Sequence, residues 1–70
     1  MTAAMKALHE LREYFEQKRD LALRQQIEAE TDGKEVAGLH YEQLAACWDH
    51  AMEMVATYLR EIERQRLKGE

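Results

Sequence analysis

Residues 41–65, YEQLAACWDHAMEMVATYLREIERQ, decide the fold of this 70-residue chain. Apolar side chains recur here every three and four residues, a spacing that places them on one face of an α-helix. The predicted face contains Tyr41, Leu44, Trp48, Ala51, Val55, Tyr58 and Ile62. Apolar residues also flank it, Ala45, Met52 and Leu59 on one side and Cys47 and Met54 on the other. A helix that is apolar over more than half of its circumference packs against two neighbours rather than one.

The composition bounds the fold class. Residues 1–70 are enough for one small domain, and they contain 46% hydrophobic residues, 34% charged residues and no proline. That composition is typical of long amphipathic helices. Ten Lys and Arg face fourteen Asp and Glu, for a net charge of −4. Nonspecific nucleic-acid binding needs a basic surface, so this charge argues against a nucleic-acid partner.

The single cysteine, Cys47, excludes an internal disulfide and fits a reducing compartment. The first residues, MTAAMKALHELRE, contain no apolar run long enough for a signal peptide, and no segment is apolar enough to cross a bilayer. We therefore predict a cytoplasmic protein that does not associate with membranes.

Residues 2–31 are predicted to form the first helix. Leu8, Leu11 and Phe15 continue the apolar spacing there, and nothing interrupts it before residue 31. Gly33 follows, and glycine readily adopts the left-handed conformation that ends a helix. The first helix is therefore expected to end just before this glycine.

Residues 32–40 are the predicted loop, and the second helix is predicted over residues 41–67. Two long helices joined by a short connection are antiparallel neighbours. The charges agree, because the fold-back places the acidic first half of the second helix beside Lys18, Arg19 and Arg24. We predict an all-α fold, an antiparallel two-helix hairpin.

A lone hairpin leaves part of this apolar surface in water, which soluble monomers rarely do. We therefore predict a homodimer of hairpins that forms a four-helix bundle. The alternative is a hairpin that completes its core on another protein. The predicted core and dimer residues are Leu8, Leu11, Phe15, Leu44, Trp48, Ala51, Met52, Val55, Tyr58, Leu59 and Ile62.

Catalytic and metal sites are not predicted. Cys47 and His50 are three residues apart on one helix, but the chain has no second Cys/His pair and no Glu-x-x-His sequence. It also has no serine and no glycine-rich phosphate loop. We predict a protein that is not an enzyme and has no cofactor.

A candidate partner surface lies near the loop. Leu23 and Ile27 stand off the main apolar face of the first helix, and Tyr41 opens the second helix. With the loop residues they form the predicted partner-binding set: Leu23, Ile27, Val36, Leu39 and Tyr41, bordered by Arg19 and Arg24. Interfaces favour such apolar centres with arginine at the border. In the alternative, Val36 and Leu39 merely close the end of the bundle.

In length, in its two long helices and in its mild acidity, the whole chain resembles the small all-helical proteins encoded by phages, although no motif residue carries the likeness. Those proteins bind and block a host protein, and one is an anti-activator of a quorum-sensing transcription regulator. The resemblance implies a non-enzymatic inhibitor of a host transcription regulator, pilus motor or immune effector. The alternatives are a cellular adaptor or regulatory subunit, and an RNA-binding four-helix dimer that uses Lys18, Arg19 and Arg24.

Overall fold

Two long helices form the chain in the computed structural model, which describes residues 2–69. Helix α1 spans Ala3–Thr31 and helix α2 spans Glu35–Gly69, and the described residues contain no strand. The predicted all-helical hairpin is therefore confirmed. Residues 1 and 70 of the predicted domain lie outside the described residues.

Local signals in the sequence set both ends of α1. At the start, the Thr2 hydroxyl oxygen accepts a hydrogen bond of 3.1 Å from the Met5 N–H, so it caps the helix. At the other end, Gly33 has a φ of 75°. The Gly33 N–H donates to the Glu30 carbonyl, and the Lys34 N–H donates to the Ala29 carbonyl. This pair of bonds is the Schellman motif, which reverses the chain within three residues.

The structure differs from the prediction at the loop. Only residues 32–34 lie between the helices, and α2 begins at Glu35, six residues before Tyr41. Glu35 suits the positive end of the helix dipole, and no residue that follows it forbids helix. Gly38 is buried, and a Cβ there would lie 3.1 Å from Cγ of Glu30. Glycine at position 38 thus permits a close approach of the helices instead of breaking α2.

The two helices touch along a stripe that we call the packed face. On α2 it contains Ala45, Trp48, Met52, Val55, Leu59 and Ile62, and on α1 it contains Met5, Leu8, Phe15, Ala22 and Ala29. It shares Trp48, Val55 and Ile62 with the predicted face. The other members on α2, Ala45, Met52 and Leu59, immediately follow the predicted residues Leu44, Ala51 and Tyr58. The hairpin therefore uses a stripe rotated towards one edge of the predicted face.

This rotation changes the environment of several predicted core residues. Leu11 is 41% exposed and Tyr58 is 56% exposed, so neither belongs to the core of the hairpin itself. Leu44 and Ala51 are half-buried at its edge. The physical reason is that one neighbouring helix covers only one stripe, and α2 carries more apolar surface than one stripe holds.

Side-chain size varies along the packed face. Met5, Val55 and Leu59 form the buried cluster far from the turn. Leu8, Phe15 and Ile62 pack against it, and the Phe15 and Trp48 rings contact each other at a tilt, with centroids 5.5 Å apart. Near the turn the buried residues are small, namely Ala22, Ala29, Gly38 and Ala45. Hydrophobic stabilisation is therefore concentrated at the open end of the hairpin.

The two valines of α2 allow a matched test of this core. Val55 is 4% exposed and Val36 is 82% exposed. We expect Val55→Ala to lower the free energy of unfolding by about 2 kcal/mol, because it removes two buried carbon atoms and leaves a void. Val36→Ala should change it by less than about 0.5 kcal/mol. Urea unfolding followed by circular dichroism at one protein concentration measures both, and equal effects would contradict this packing.

Candidate protein-binding surfaces

The hairpin leaves one of its sides largely apolar, and we call this side the broad apolar face. On α1 it contains Ala4, Ala7, Leu11, Tyr14 and Leu21, and on α2 it contains Leu44, Cys47, Ala51, Met54 and Tyr58. All of these except Leu44 and Ala51 are exposed. The packed face recurs every three and four residues along each helix. Each residue of the broad apolar face immediately precedes one of those positions. The broad apolar face is therefore a second regular stripe on each helix.

Both stripes lie on the same side of the hairpin. Stepping back one residue rotates a side chain by 100° about its helix axis. The two helices run in opposite directions and face each other, so the two rotations lead to the same side. A shallow depression on this side agrees, because its lining includes Gln25 and Glu28 of α1 and Ala37 and Tyr41 of α2.

One basic side chain interrupts the broad apolar face. Lys18 is half-buried, and its ammonium group lies 5.3 Å from the centroid of the Tyr14 ring. At this distance a cation is attracted to the ring face, while the apolar stem of the lysine covers carbon surface. Lys18 thus adds to the covering of Tyr14 and keeps its charge in water.

A second, smaller apolar surface lies on the opposite side near the turn. It consists of Leu23, Ile27 and Leu39, all exposed, and we call it the turn-end patch. Each of the three residues immediately follows a position of the packed face, so the patch lies on the side opposite to the broad apolar face. The structure thus brings together three of the five apolar residues predicted to bind a partner. Val36 lies instead on the outer side of α2, and half-buried Tyr41 lies towards the broad apolar face.

The predicted arginine border of this patch is not formed as expected. The Arg19 guanidinium donates a 3.0 Å hydrogen bond to Asp49 of α2 and also bonds to Asp20. These bonds, first to Asp49 and then to Asp20, raise the pKa of Arg19. Arg24 is exposed on the outer side of α1, two residues after buried Ala22. Carboxylates of the hairpin therefore bind Arg19, and of the three basic residues predicted to lie beside the acidic half of α2, Arg19 is the one that forms an ion pair with it.

The remaining charges around the turn-end patch are acidic. Asp20 and Glu30 of α1 and Glu42 and Asp49 of α2 occupy positions on the same side as the patch. The turn-end patch is thus an apolar centre with mainly acidic neighbours, of which Asp20 and Asp49 are bonded to Arg19. The acidic neighbours were not predictable from the sequence, because they depend on which side of each helix faces the other.

The final turns of α2 extend beyond the last packed residue, Ile62. Glu61 bonds to Arg64, and the bond lowers the pKa of Glu61 and raises that of Arg64. Both groups are exposed or nearly so, and the pair supports local helix rather than a site. Among residues 2–69, no cluster of three or more His, Cys, Asp or Glu side chains has a geometry suited to a metal ion.

Comparison of the chain with protein-family models, with curated proteins and with solved structures found no match. Neither of the two described helices has a stretch that is both long and apolar enough to cross a membrane. The surfaces of the hairpin are therefore the basis for a functional assignment.

Proposed function

We propose that the chain is a non-enzymatic protein-binding module that acts as a homodimeric four-helix bundle. The main support for this proposal is that the hairpin exposes two separate apolar surfaces on opposite sides. The broad apolar face suits a second copy, and the turn-end patch suits another protein. A hairpin that had only to fold as a monomer would need neither of these exposed apolar surfaces.

The area of the hairpin supports association with a second copy. Its accessible surface is 5473 Å². A monomer of 8.3 kDa is expected to expose only about 4,600 Å² by the usual scaling with mass. The excess of about 900 Å² is comparable to the roughly 800 Å² that each partner buries in a stable interface. Burying the broad apolar face against a second copy would thus bring the exposed area of each chain close to the value expected from its mass.

The turn-end patch supports binding of a different protein. It remains on the outside of a bundle that closes through the opposite side, and each dimer presents it twice. Interfaces draw most of their energy from a few apolar anchors of this kind. We propose that the module is of the phage type and blocks a host regulatory protein in the cytoplasm, such as a transcription regulator, a pilus motor or an immune effector.

Two other roles use the same fold. A cellular adaptor or regulatory subunit would present the same two surfaces, and the identity of the captured partner separates it from an inhibitor. An RNA-binding dimer would need the basic group Lys18, Arg19 and Arg24. Arg19 is bonded to two carboxylates, so this alternative keeps two of its three cations.

The dimer is tested by mass. Light scattering at micromolar concentration should give about twice the 8.3 kDa mass of the chain. Met54→Glu should produce a monomer, because it places a charge in the middle of the broad apolar face. Ile27→Glu, on the opposite side, is the control and should remain a dimer. A helical, monodisperse monomer of the unchanged protein would contradict the four-helix bundle.

The partner surface is tested with two leucines of α2. Leu39 in the turn-end patch is 58% exposed, and Leu67 near the end of the helix is 64% exposed. Leu39→Ser should weaken capture of the host partner by about 1–2 kcal/mol or more while the fold and dimer persist. Leu67→Ser is the matched control and should bind normally. Leu23→Ser and Ile27→Ser should behave as Leu39→Ser does, and full binding by all three variants would exclude this patch.

A further inference from the structure

We infer that the second copy docks on the broad apolar face with its turn at the opposite end of the bundle. The two-fold axis then passes between Leu11 and Tyr14 on α1 and through Ala51 on α2. Helix α1 packs antiparallel to α1 of the second copy, and α2 packs antiparallel to α2. This inference rests on the homodimer proposed above and adds its orientation and its register.

The apolar residues of both helices are centred at one height along the hairpin. On α1 they run from Ala4 to Leu21, and on α2 from Leu44 to Tyr58. The midpoints lie between Leu11 and Tyr14 and at Ala51. The Phe15–Trp48 ring contact and the Met5–Leu59 cluster place these midpoints at about the same level. A two-fold axis through that level therefore superposes each apolar stretch on its own copy.

This register places apolar side chains opposite apolar side chains. Leu44 meets Tyr58 of the second copy, and Cys47 meets Met54. At the ends of the stripe, Glu61 comes opposite Tyr41 of the second copy, whose hydroxyl can donate a hydrogen bond to the carboxylate. Ala51 meets its own copy at the axis, where a small side chain allows the two helices to approach closely.

The unequal lengths of the helices favour the same orientation. Helix α2 spans Glu35–Gly69, and its midpoint nearly coincides with Ala51. Opposed turns therefore align α2 with α2 of the second copy over the whole helix. The turns beyond Ile62, which have no neighbour in their own hairpin, then lie beside the first turns of the partner α2. Turns at the same end would leave both extensions uncovered.

Charge complementarity also favours opposed turns. Residues 28–35 at the turn contain four acidic residues and one basic residue. Residues 60–68 at the open end contain four basic residues and two acidic ones. Opposed turns place each acidic end beside a basic end, whereas aligned turns would place like charges together.

Cysteine cross-linking tests this register. In a Cys47→Ala background, Ala51→Cys places a thiol at the proposed axis, and antiparallel helices 8–10 Å apart bring the two copies within disulfide range. Mild oxidation with copper phenanthroline and air should convert most of the chain to a covalent dimer. Cys47 in the unchanged protein is the control. It is offset from its own copy by roughly 12 Å along the axis, so it should stay unlinked.

Two mixtures of single-cysteine chains complete the test, with cross-links identified by mass spectrometry. Leu44→Cys mixed with Tyr58→Cys should give the mixed disulfide, and this result supports the register even if Ala51→Cys fails to fold. Leu11→Cys mixed with Ala51→Cys should not link, because that pair meets only when the turns are aligned. A dimeric mass with the Leu11–Ala51 link, or with linked Cys47 and unlinked Ala51→Cys, overturns the inference. A monomeric mass instead overturns the proposed homodimer.

Discussion

A hairpin of two helices buries one stripe of each helix, and this constraint governs the rest of the molecule. Helix α2 carries apolar residues over more than one stripe, so folding the hairpin leaves Met54 and Tyr58 in water. Packing them inside the hairpin would expose Leu59 and Val55 in exchange. The exposed apolar area is thus a property of the two-helix architecture. Only a further helix packed on the broad apolar face removes it from water.

The two helices and the end of α1 before Gly33 were predictable because their signals are local, whereas the start of α2 was placed six residues too late. The Schellman glycine Gly33 and the uninterrupted spacing of α2 need no tertiary information. Gly38 was harder to interpret, since glycine serves both as a helix breaker and as a site of close approach. The Glu30 side chain of the other helix lies where a Cβ at position 38 would crowd it, and this tertiary proximity decides between the two roles.

The rotation of the packed face was not predictable from periodicity alone. Stripes one residue apart share their three-and-four spacing, and on α2 both are apolar. Side-chain size selects between them on α1, where small Ala22 and Ala29 fit the interface better than Lys18 and Gln25. The turn-end patch was predicted in part, because Leu23 and Ile27 visibly leave the main face. The mainly acidic character of its neighbours depends on Arg19 reaching Asp49 across the hairpin.

The gradation of the packed face from alanine to larger side chains has a kinetic consequence. Contacts close to the turn are local in sequence, yet they involve alanine and glycine and gain little from burial. The contacts that release most free energy join Met5 to Val55 and Leu59, which are among the most distant in the chain. Loop-closure entropy must be overcome before that gain is realised. We therefore expect a transition state in which helix α2 is formed while the open end is still unzipped, and slower folding than the short turn alone implies.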